Sequence, residues 1–154
     1  MEGLQTAQEN DPEISCILEL MKQSPEKPPW HSVALHSHDV RVLWGKWHRL
    51  RIWNGILQRR FKSPGGSSEV WQVILPAKLR KEFMPVIHGG MTGGHLACRR
   101  TAASIQSREH WPTWSSGLDT FLKECEHCAR YHRGTVPRKA ALRAALCTPR
   151  VGEP

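Results

Sequence analysis

His88-Gly89-Gly90-Met91-Thr92-Gly93-Gly94-His95 and, further on, Cys125-Glu126-His127-Cys128 are the stretches whose reading decides the fold. Two thiolates in a Cys-x-x-Cys can grip one metal ion, because a turn brings both sulfurs to one side. Zinc takes four ligands in a tetrahedron, with bonds of about 2.3 Å to sulfur and about 2.0 Å to nitrogen. The second pair must therefore come from elsewhere. His88 and His95 are the candidates: six residues separate them, around a glycine-rich loop. A further 29 residues lie between His95 and Cys125, room for two helices. Two nitrogens and two sulfurs with no open position make a closed, structural site. Other readings stand beside this one. Cys-x-x-Cys also serves thioredoxin-like redox chemistry, but that pair opens a helix, whereas this one follows a helix. His110 and His132 are alternative ligands, and His127 would strain the chelate.

Outward from these stretches, the pattern is helical on both sides of the second histidine. Leu79, Phe83, Val86 and Ile87 make one apolar face from Pro76 onward, and Ala102 and Ile105 point inward on a helix over about 97–108. Trp114, Leu118, Phe121, Leu122 and Cys125 share a face on a helix over about 113–124. Upstream, Asp11 reads as an N-cap with Pro12 at the first helical position, followed by the stripe Ile14, Ile17, Leu18 and Met21. A second helix starts near Ser37, with Val40, Leu43, Trp44 and Trp47 at the same spacing. Asn54-Gly55 then sits between Leu50–Trp53 and Ile56–Phe61. That pair between two such runs is a hairpin signal, because both turn residues need positive φ. Positions 63–68 read as a flexible loop, and Glu69–Leu75 as a third strand joining the hairpin. Beyond Cys128 the chain is basic and irregular, a tail or linker with a short helix at 137–147.

The chain has 154 residues and a net charge of +8, which favours an anionic partner such as nucleic acid. No apolar run approaches the roughly 18 residues of a membrane span. The polar N-terminus lacks the pattern of a secretory signal, so an intracellular protein is expected. Seven tryptophans against one tyrosine suggest that large side chains fill a thin core. No paired carboxylates stand out for two-metal phosphoryl transfer, and no nucleophile–histidine arrangement emerges. The glycines around His95 lack the lysine and hydroxyl residues of a phosphate loop.

The stretch from Trp71 to Arg133 resembles the zinc-binding domain of retroelement integrases, specifically the gypsy-type retrotransposon branch. The matching words are Val73-Ile74-Leu75-Pro76 with Leu79-Arg80, the His88–Leu96 run, Arg100-Thr101, His110-Trp111-Pro112 and Cys125-Glu126-His127-Cys128, in the family's order. Pro28-Pro29-Trp30, Trp44, Trp47 and the hairpin followed by Arg59-Arg60 resemble the region upstream of that domain. The resemblance implies that His88, His95, Cys125 and Cys128 hold one structural Zn2+. In the family, strand transfer belongs to a later ribonuclease-H-like core, and this sequence ends before its carboxylates would appear. No catalysis by this chain alone is expected. Pro85 departs from the pattern: proline there removes a backbone donor and predicts a kink or restart before His88.

The expected fold is α+β: small helices and a hairpin or three-stranded sheet over 1–68, a three- or four-helix zinc-binding bundle over 69–133, and a basic tail over 134–154. The expected function is nucleic-acid binding and assembly as a retroelement-derived integrase module. DNA is the expected partner, through Arg130, Arg133, Arg138 and Lys139, with self-association or a protein partner also open. Neither a membrane nor a small-molecule substrate is expected, and the expected location is the nucleus, otherwise the cytoplasm. A host-retained protein-interaction module and a non-functional retroelement fragment are the alternatives, and a redox protein is the reading from another class.

Overall fold

The computed structural model describes residues 2–62, 66, 68–89 and 98–128. The fold is α+β. Its elements run α1 (Glu2–Glu9), α2 (Pro12–Gln23), α3 (His38–Gly45), β1 (Leu50–Trp53), β2 (Ile56–Lys62), β3 (Glu69–Ile74), α4 (Ala77–Gly89), α5 (Cys98–Arg108), β4 (Glu109–His110) and α6 (Trp114–Glu124). Two compact units result: residues 1–80 with 107–112, and residues 81–106 with 113–154. The division falls inside α4. Among the described residues, no helix is long and apolar enough to cross a membrane.

In the first unit, the Asp11 cap forms as expected. Asp11 accepts the Glu13 and Ile14 N–H groups at 3.0 and 3.1 Å, with Pro12 opening α2. Ser37 accepts the Val40 N–H at the start of α3. Helix α3 stops at Gly45, and Trp47 lies in a separate 3-10 turn rather than on the same helix. Asn54 and Gly55 both have positive φ, 48° and 76°, and join β1 to β2 in the expected hairpin. Strand β3 adds antiparallel to β2, from Gln58↔Val73 to Lys62↔Glu69. Ile14, Ile17, Leu18, Val33, Val40, Leu43, Leu50, Leu57 and Ile74 form the core between α2, α3 and the sheet.

Two elements depart from the sequence reading. Helix α1 precedes the expected first helix, although its sequence is polar. Its Gln8 is fully buried and fills a gap where β2 and β3 part. The Gln8 amide donates to the Leu57 and Ile74 carbonyls at 3.1 and 2.6 Å, and its oxygen accepts the Leu57 N–H at 2.7 Å. One side chain thus replaces the rung that would follow Gln58↔Val73. The second departure is β4, which pairs parallel with β3 and makes the sheet four-stranded in the order β1-β2-β3-β4. The tryptophans also divide: Trp47, Trp111 and Trp114 are buried, but Trp30, Trp53 and Trp71 are exposed.

In the second unit, α4 runs through Pro85 as one helix, without the expected restart. Its buried residues are Met84 and His88, four apart, while Val86 of the expected apolar face is exposed. Thr101 and Ile105 of α5 and Trp114 and Leu118 of α6 are buried in the same unit.

Candidate metal centre

His88 is the penultimate residue of α4 and is 1% exposed. A histidine so deeply buried needs partners for both ring nitrogens. Its Nδ1 lies 3.4 Å from the Thr101 hydroxyl of α5. Its Nε2 faces the Cys128 sulfur at 3.0 Å. The Phe121 ring stands edge-on to the imidazole, with centroids 5.5 Å apart. Phe121 and Thr101 therefore fix the ring, and Nε2 points at the thiol. Orientation of this kind, one ring nitrogen on a neighbouring hydroxyl, is how proteins aim a metal-ligating histidine.

The two cysteines reach the same place through a break in the helix. Cys125 caps α6 in an extended conformation, with ψ of 107°, and residues 126–128 make one further helical turn. Cys125 is half-buried and Cys128 is 8% exposed. One ligand atom from each of His88, Cys125 and Cys128 lies within 4.8 Å of the others. The bond lengths of a tetrahedral zinc place its sulfur and nitrogen ligands about 3.5–3.8 Å apart. The three residues need little adjustment to meet that spacing, and their donor set suits zinc.

The electrostatics point the same way. Burial first, then the hydrogen bond and the charge of Cys125, pushes the Cys128 thiol up to about 11. A redox cysteine is activated by the opposite shift, toward the thiolate at neutral pH. A thiol held protonated in this way is one that a bound divalent cation would ionise. No disulfide joins them.

His95, the Gly93-Gly94 loop and His132 lie outside the described residues, as do Arg130, Arg133, Arg138, Lys139 and the helix at 137–147. Most of the 63–68 loop does too. His127 is exposed. His110 sits in β4 of the first unit, where Lys46 Nζ lies 3.3 Å from its Nε2 and Arg59 Nη1 within 3.0 Å of both ring nitrogens. Burial, then the charges of Arg59, Lys46 and Arg80, lowers its pKa to about 2. Lys46 and Arg59 are thus its close neighbours. The sequence reading gave Thr101 and Phe121 no part in orienting His88, although it placed Phe121 on one helix face with Cys125. Thr101 left a signal only as part of the Arg100-Thr101 word.

The geometry of one buried imidazole and two thiols agrees with a family match. Residues 75–133 match the integrase zinc binding domain. That stretch is an integrase-like zinc-binding module. It spans less than half of the chain, and the match is to a zinc-binding domain, not to a catalytic one. No curated protein and no solved structure gives a significant match to the chain.

Proposed function

We propose that the module holds one structural Zn2+ through His88, His95, Cys125 and Cys128, and that the chain is a gypsy-type integrase module acting in nucleic-acid binding and assembly. The observation that carries this reading is the convergence of His88, Cys125 and Cys128 within 4.8 Å in a buried position. His95 supplies the fourth ligand. Zinc would contribute a cross-link between the end of α4 and the turn after α6, in a bundle that buries few side chains among the described residues. Thr101 and Phe121 hold the His88 ring for it.

The chain acts on DNA by neutralising phosphates and performs no strand transfer itself. Arg130, Arg133, Arg138 and Lys139 follow directly on the cysteine pair, and the net charge of +8 supports an anionic partner. Its place of action is the nucleus. The test is a DNA titration of the full chain across salt concentrations. Every phosphate that a variant no longer neutralises should make the log–log salt slope shallower by about 0.9. Replacing all four tail residues by alanine should therefore flatten the slope by about 3–4. An unchanged slope would remove the tail from the reading. An absence of DNA binding at low salt would turn it toward a protein partner.

A further inference from the structure

The outer face of the sheet bears a feature that the zinc module does not use. Along β1 and β2 the side chains alternate, and Leu50, Ile52 and Leu57 turn to the core. The opposite face carries Arg51 and Trp53 on β1, Gln58, Arg60 and Lys62 on β2, and Trp71 on β3, by the pairings Arg51↔Gln58 and Arg60↔Trp71. Trp53 is 57% exposed and Trp71 is 38% exposed. Between them lies the Arg51 guanidinium, 3.6 Å from the Trp71 ring centroid and 5.1 Å from that of Trp53. Its Nε donates to the Gln58 side-chain Oε1 at 3.0 Å, which fixes it in the row. The result is a Trp–Arg–Trp row across three strands with indole surface left open to solvent.

The geometry points to this face as a stacking platform for single-stranded nucleic acid. Indole and guanidinium planes both accept nucleobases, and every base offers a π-face, so such stacking is tolerant of sequence. A single strand can splay its bases onto a row of this kind; a duplex keeps them stacked on one another. The charge is complementary. Arg51, Arg60 and Lys62 share the face, and Glu69, 3.8 Å from Arg60 and 3.4 Å from Lys62, offsets part of it. Single-stranded DNA and RNA offer the same bases and phosphates, and the row itself does not separate them. The platform belongs to the first unit and depends neither on zinc nor on the basic tail.

The test uses the full chain and fluorescein-labelled oligothymidylate and oligouridylate of roughly a dozen nucleotides. Binding is read by anisotropy and by quenching of tryptophan fluorescence. Trp53→Ala and Trp71→Ala should each weaken binding about tenfold, with the circular-dichroism melt unchanged. Trp53→Phe, which keeps a ring, should lose less. The same effects should appear in the chain whose four tail residues are alanine, so failure of the tail reading leaves this one standing. A duplex of equal length should bind more weakly and ignore both alanine changes. The inference is overturned if neither oligonucleotide binds, if the folded alanine variants bind like the parent, or if the duplex shows the same loss. It is also overturned if the changes abolish self-association of the chain instead of oligonucleotide binding.

Discussion

Replacing Gln8 with alanine removes three hydrogen bonds at once from a place that water does not reach. Leu57 and Ile74 are both fully buried, so the change strands one N–H and two carbonyl groups. At about 1 kcal/mol for each bond removed, with stranded groups tending to cost more, the first unit should lose about 3 kcal/mol. A urea slope of about 1.5 kcal/mol per molar would turn that into a midpoint lower by roughly 2 M. The assay is equilibrium urea unfolding followed by tryptophan fluorescence, which reports on the first unit through the buried Trp47 and Trp111. A shift under roughly 0.5 M in a variant that keeps the parent's slope would mean that the Gln8 amide does not stand in for a strand-ladder rung.

Asp11 has two duties: one carboxylate oxygen caps α2 and the other accepts the Ala77 N–H at the start of α4, at 2.8 Å. Asp11→Ala should cost about 2 kcal/mol or more in the same urea assay. Gly55→Ala places a Cβ at a φ of +76°, 2.6 Å from the Gln5 side chain. It should cost about 1–2 kcal/mol and lower the melting temperature by several degrees; an unchanged melt would mean that the turn relaxes freely. His110 stays neutral in the folded chain down to about pH 2, whereas the unfolded chain protonates it below about 6.5. Its contribution is therefore complete above 6.5 and shrinks by about 1.4 kcal/mol per unit as pH falls. Glu109, raised to about 7 by burial, works in the opposite sense: its contribution is complete below 4.5 and lost as pH rises through 7. With Glu109→Gln the opposing slope disappears, so between pH 7 and 4.5 the variant should lose stability with acid more steeply than the parent. Parallel curves in urea melts would contradict these shifts.

The parts of the fold that were legible in the sequence are those where one local signal dictates geometry. Asn54-Gly55 demands positive φ at two residues in a row, and the hairpin is there. Asp11-Pro12 fixes a helix start by a cap and a ring, and α2 begins at Pro12. Helix α1 was invisible because the residue it buries fully is a glutamine, Gln8, which no hydrophobic period reports. Strand β4 is two residues long, too short for an alternation to register. The face of α4 was misread for a related reason. Periodicity counts histidine as polar, yet His88 is the buried residue, so the inward side turns from Val86 to the Met84–His88 line. At the site, Cys125-x-x-Cys128 was readable because two sulfurs at that spacing chelate. The shell that aims His88 was not, since Thr101 and Phe121 approach it from other helices and leave no spacing rule.

The central claim is tested most directly by elemental mass spectrometry of the purified chain and of its Cys125→Ser and His95→Ala variants. The account predicts one zinc per chain in the parent and a substoichiometric, readily chelated metal in both variants. It also predicts loss of helical circular dichroism when the parent is stripped, because binding a structural zinc contributes on the order of 10 kcal/mol to folding. A well-folded parent that contains no zinc and gains none when it is supplied would contradict it.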